Sequence, residues 1–180
     1  SWPACGPRGA AMKVLFLDID GVLNCDTTQE RLGEEFGIYR AFMGVDLRLC
    51  DLLKRWLIVN ADVDVVLSST WRLDERMAAE VRRQGIDFID MTRSMKNRAT
   101  EVDDWLGRHS RVTHYAILDD IQQFSASQRA HFVKTSFKHG LRKKDLDSIE
   151  VILDLVMAHD DGAVRHRPEA NRQESEEFMQ

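Results

Sequence analysis

The sequence predicts an α/β protein, a three-layer sandwich in which a mostly parallel sheet of about five strands carries helices on both faces. Three observations lead there. Short, largely apolar runs of strand length recur at residues 14–17, 63–67 and 114–118, and each ends abruptly in polar side chains. Stretches with apolar residues at helical spacing separate these runs. The runs are too apolar for strands with one wet face, as expected of a parallel sheet covered on both sides.

In chain order, residues 1–11 (SWPACGPRGAA) have no periodicity and read as a flexible leader, with Met12 a plausible native start. Val14-Leu15-Phe16-Leu17 is the first strand, and it runs into Asp18-Ile19-Asp20-Gly21. Residues 25–45 are polar and glycine-punctuated, with a short helix at 30–36. Asp46 is a plausible N-cap for a helix whose stripe is Leu49, Leu52, Leu53, Trp56 and Leu57, spaced i, i+3, i+4, i+7 and i+8. The second strand, 63–67, ends in Ser68-Ser69-Thr70-Trp71-Arg72. A helix over 73–84 stopped by Gly85, a third strand at 86–89 and a basic loop at 92–97 follow. Next come a helix over 99–109, a fourth strand at 114–118 ending in Asp119-Asp120, a weak fifth strand at 132–135 and a last helix over 144–159. Residues 160–180 are polar and charged and read as a disordered tail, leaving 12–159 as one domain.

Composition bounds the function. With 180 residues, 43% of them hydrophobic, the chain can bury one sizeable core. A net charge of −5 excludes the global basic field of a dedicated nucleic-acid binder, though not a local patch. Cys5, Cys25 and Cys50 form no CxxC pair and read as reduced thiols, and no apolar stretch approaches membrane-span length. A cytoplasmic protein is expected.

Parallel strands ending at Asp18, Ser68 and Asp119 open on one edge, where α/β sheets place their ligands. That edge carries Asp18, Asp20, Asp119 and Asp120, hydroxyls from Ser68 to Thr70, and cations from Lys96 or Arg98. Clustered carboxylates without histidine or cysteine partners favour a hard cation, Mg²⁺ first, bound with substrate phosphate oxygens. The set suits phosphoryl transfer. Asp18 would attack phosphorus and give an aspartyl-phosphate, while Asp20 would protonate the leaving oxygen and then deprotonate water.

These residues also resemble a known family. Asp18-Ile-Asp-Gly-Val looks like motif I (DxDx[TV]) of the haloacid dehalogenase-like superfamily, which has a Rossmann-like fold. Val66-Leu-Ser-Ser-Thr-Trp-Arg looks like its motif II, and Ile117-Leu-Asp-Asp like the paired-Asp form of motif IV, in the same order over roughly 12–159. The resemblance implies Asp18 as nucleophile and metal ligand, Asp20 as general acid/base with its carbonyl on the metal, and Asp119 as a third ligand assisted by Asp120. It implies Ser68 as the motif II hydroxyl, with Ser69 and Thr70 as fallbacks. Glu101-Val102 and Trp105-Leu106 favour Arg98 over Lys96 as the motif III cation, a departure from the commoner Lys. An Asp at the second acid position implies phosphate hydrolysis rather than dehalogenation. The short 25–45 insertion implies an open, minimally capped site. LDIDGVLN and LSSTWR are most similar in wording to phosphatase-like domains attached to RNA-repair proteins.

The expected activity is a Mg²⁺-dependent phosphomonoesterase. Its substrate would be a nucleotide, a polynucleotide end, a phosphoprotein or a small metabolite. The alternative is a non-catalytic module that kept the fold to bind protein or nucleic acid. Trp71 and Arg72 read as packing and surface contact at a helix start, and His109, His114, His131 and His139 as ordinary. The basic run 134–144 reads as a solvated face that can also steer a polyanion.

Overall fold

The computed structural model of the chain describes residues 11–36 and 44–155. The expected tail, all but the last residue of the leader, and the far end of the last helix lie outside these residues. The elements are β1 (Met12–Leu17), α1 (Asp26–Phe36), α2 (Leu47–Val59), β2 (Val63–Leu67), α3 (Glu75–Arg83), β3 (Asp90–Met91), α4 (Arg98–Gly107), β4 (Val112–Asp119), β5 (Phe132–Lys134) and α5 (Lys143–Ile152). The strands form one five-stranded sheet in the order β3-β2-β1-β4-β5, with every pair parallel.

The two-residue period of β1 divides the core. Leu15 and Leu17 join a cluster with Leu53 and Trp56 of α2, Val81 of α3 and Ile149 of α5. Val14 and Phe16 pack on the opposite face with Val102 and Trp105 of α4, and Phe16 meets Trp105 edge to face at 5.3 Å. Each fully buried side chain of this kind contributes about 1.5–3 kcal/mol. The fully buried residues of β1, Val14 to Leu17, are all apolar, and the acids come only after Leu17.

Chain order sets where a ligand can enter. From β1 the chain steps to β2 and β3 on one side, then returns to β4 and β5 on the other. The strand order therefore reverses between β1 and β4, and α/β sheets open their ligand crevice at such a point. Leu17 is in register with Leu67 and Leu118, so Asp18, Ser68 and Asp119 sit at one level just beyond it.

Several boundaries differ from the sequence reading. The third strand is not 86–89 but Asp90–Met91, because only there does the backbone come into register with Val66 and Leu67. Ile86 and Phe88 still enter the core, which explains the apolar pattern. The helix expected over 73–84 is split into a 3₁₀ turn at Thr70–Leu73 and α3, since the Asp74 side chain accepts from Arg76 N and Met77 N and starts a new helix. The first helix begins at Asp26, not Glu30. The last helix stops at Ile152, and Asp154 follows with a φ of 53°. Asp46 is the N-cap of α2 as expected, and Cys25 and Cys50 are buried free thiols. Among the described residues, no helix is long and apolar enough to cross a membrane.

Candidate active site

The ladder hydrogen bonds continue one residue past the strands and fix the acids. Asp18 N donates to Leu118 O at 3.0 Å, Ser68 N to Leu17 O at 2.9 Å, and Thr135 N to Asp119 O at 3.0 Å. Beyond Asp20 the backbone turns at Gly21, whose φ is +72°. A Cβ at Gly21 would collide with the Asp120 side chain, so glycine there lets the two strand-end loops close on one another.

Asp18, Asp119 and Asp120 each offer a carboxylate oxygen within 4.8 Å of the others. Asp18 and Asp119 are almost completely buried. Burial raises the Asp18 pKa against the opposing charge of Arg98 and a hydrogen bond from Ser69. Burial first, then the Asp18 charge, pushes Asp119 up to about 7, and burial likewise raises Asp120. Such a group of acids favours protons or a cation. Its donors are all carboxylate oxygens, so it fits a hard divalent ion better than Zn²⁺ or copper.

Arg98 lies across the cluster. Its Nη2 is 3.5 Å from Asp18 Oδ1 and its Nε 3.3 Å from Asp119 Oδ2. Lys96, the other cation considered from sequence, is exposed. The Asp20 carboxylate is not one of the three grouped acids, but its charge acts on Asp18 and Asp120. Trp71 Nε1 donates to both its oxygens at 3.1 Å, and Asn24 Nδ2 to one of them at 2.9 Å. Among the described residues Ser68 Oγ, which is buried, has no hydrogen-bond partner, while Ser69 Oγ accepts from Trp71 N at 3.3 Å.

Trp71 and Arg72 are not surface contacts. Trp71 is buried and holds Asp20. The Arg72 guanidinium is also buried, donating to the Ser68 and Ser69 carbonyls at 3.0 and 2.6 Å and to Glu101 Oε1 at 2.7 Å. Glu101 Oε2 in turn faces Arg98 Nη1 at 3.7 Å. The sequence reading missed this link from the end of β2 to α4, and it missed Asn24. One signal was available for Glu101, since an acid three residues after Arg98 on a helix is at ion-pair spacing. Among the described histidines, His109 stacks on Trp105 and His131 on Tyr115.

Residues 14–146, most of the chain, match the family described as "HAD domain in Swiss Army Knife RNA repair proteins". No curated protein and no solved structure matches the chain.

Proposed function

The chain belongs to the family of HAD (haloacid dehalogenase-like) domains in Swiss Army Knife RNA repair proteins, and from that premise we propose that it is a Mg²⁺-dependent phosphomonoesterase acting on nucleotides or polynucleotide ends. One observation carries the reading: Asp18, Asp119 and Asp120 converge at the switch point of the sheet with the Arg98 guanidinium across them.

Asp18, Asp119 and Asp120 would hold the ion, together with the backbone carbonyl of Asp20. When bound, Mg²⁺ supplies positive charge that relieves the repulsion among these acids and draws phosphate oxygens in. Asp18 attacks phosphorus in line, its new O–P bond forming as the bond to the leaving oxygen breaks. Asp20 gives its proton to that oxygen, so an alcohol departs and an aspartyl-phosphate remains. A water then attacks the same phosphorus, Asp20 takes its proton, and inorganic phosphate leaves with Asp18 restored. Trp71 and Asn24 hold the Asp20 carboxylate for both transfers. Arg98 neutralises a phosphoryl oxygen with its fork of donors. The unpartnered Ser68 hydroxyl is free to donate to another, and Ser69 is the neighbouring alternative.

Turnover of p-nitrophenyl phosphate with Mg²⁺ and with chelator tests this. Asp18→Asn should lower kcat by at least about 1,000-fold while the circular dichroism spectrum is unchanged. Retained activity in Asp18→Asn would overturn the nucleophile. A wild type inert toward nucleotides, phosphorylated oligonucleotides, phosphopeptides and sugar phosphates alike would leave a binding module instead.

A further inference from the structure

We propose that the turn after β5 is a docking surface for single-stranded nucleic acid, holding the strand that trails behind a terminal phosphate; this rests on the phosphatase reading above. The segment from Ser136 to Gly140 closes on itself, with Gly140 N donating to Ser136 O at 2.7 Å and His139 N to the same oxygen at 2.9 Å. Gly140 has a φ of +66°, and a Cβ there would stand 2.9 Å from the Val22 carbonyl oxygen. The turn is thus pressed against the loop that carries Asp20.

Backbone hydrogen bonds fasten it there. Asp26 N donates to Phe137 O at 3.0 Å, Thr27 N and Oγ1 to Lys138 O at 3.2 and 2.7 Å, and Leu141 N to Val22 O at 2.9 Å. Thr135 Oγ1 adds a bond to Gly21 O at 2.8 Å. With these carbonyls turned inward, Lys138 and His139 are exposed and Phe137 is 43% exposed. Lys134 and Lys144 flank the turn, both exposed. Lys143 and Arg142 are engaged by Asp147 and Asp145. Among the described residues, Lys134, Lys138 and Lys144 have no carboxylate within ion-pair distance.

An exposed ring interleaved with cations that form no ion pair is the chemistry that binds single strands without reading sequence, by stacking and phosphate contact. An acidic peptide would use the lysines but not the ring face. Lys134 is in register with Asp119 on the neighbouring strand, so the basic segment starts one strand away from an acid of the cluster, and the Lys134 charge acts on Asp120. The opposite flank, Arg93 and Lys96 after β3, also offers exposed cations, but its exposed apolar side chains, Met91 and Met95, are not aromatic.

The test compares wild type, the double variant Lys138→Glu/His139→Glu, Phe137→Ala and Arg93→Glu, which makes the same kind of charge change on the other flank. The substrates are p-nitrophenyl phosphate, uridine monophosphate, uridine oligomers of increasing length with a 5′- or 3′-phosphate, and an acidic phosphopeptide. Anisotropy of a fluorescent uridine octamer reads binding separately. The wild type should show kcat/KM rising with oligomer length. The double variant and Phe137→Ala should each lose about tenfold on the octamer, in turnover and in affinity, with p-nitrophenyl phosphate unchanged. Arg93→Glu should keep the length dependence. Unchanged octamer affinity in both turn variants would overturn the proposal, as would an equal loss in Arg93→Glu or an equal loss on the phosphopeptide in Phe137→Ala. If no phosphomonoester is turned over, the phosphatase reading fails, and octamer anisotropy alone still decides for or against the surface.

Discussion

Glu101 stands between two guanidiniums held away from water, accepting from Arg72 at 2.7 Å and facing Arg98 at 3.7 Å. It also accepts from Met95 N at 3.1 Å, so one carboxylate ties the basic loop, α4 and the end of β2 together. Removing one partner of a buried ion pair leaves an uncompensated charge, which costs far more than the pair contributes. Glu101→Ala should therefore destabilise the protein by about 3–5 kcal/mol in urea unfolding, and Glu101→Gln, which keeps an acceptor, by less. A loss below about 1 kcal/mol in the alanine variant would mean that the two arginines are solvated and the link is incidental. Arg72 and Trp71 sat inside a motif read for its serines, and no spacing announces that an indole will cap an acid 51 residues away.

At the scale of elements, Asp46 joins two helices. It caps α2 by accepting from Arg48 N at 2.9 Å, and it accepts from Thr28 Oγ1 of α1 at 2.8 Å. Burial would raise its pKa, but these bonds and the Arg31 charge outweigh it and hold the carboxyl below its ordinary value. A depressed acid stabilises the fold above its unfolded pKa, near 4, and that contribution disappears as pH falls through the folded value. Asp46→Ala should cost about 1–2 kcal/mol at pH 7, and the gap from wild type should narrow below about pH 4. A gap that stays constant from pH 7 to pH 3 would sink the assignment. Helices and long strands were legible because apolar period is a local property. The third strand was not, because Ile86 and Phe88 are apolar for the core's sake while the ladder bonds fall on Asp90 and Met91.

Three acids that disfavour one another's charge meet at one edge of the sheet. Asp119 is pushed up to about 7, and Asp18 and Asp120 are raised as well, chiefly by burial. An acid with a raised folded pKa binds its proton more tightly in the fold than in the unfolded chain. Stability from this cluster is therefore full below about pH 4 and is lost as pH rises toward 7. A bound divalent ion offsets that loss and does so most where the acids are ionised. Melting curves should show Mg²⁺ raising Tm by about 5–10 °C at pH 7.5 when present at a hundred times its Kd, and by much less at pH 5. An equal gain at both pH values, or a gain that survives Asp119→Asn, would count against the cluster as the metal site.

The α/β class, the number of strands and the convergence of Asp18, Ser68 and Asp119 at one edge were all readable from the residues alone. Those follow from apolar period, strand length and the parallel connection rule, which short stretches of chain carry on their own. Which cation reaches the acids became visible in the folded chain, where Arg98 lies on Asp18 and Asp119 while Lys96 stays exposed. The fold likewise brings Trp71 and Asn24 onto Asp20 and fastens the basic turn to the loop after β1. These depend on packing between distant segments, as in the Thr135 bond to Gly21 across 114 residues, and no local pattern encodes that meeting.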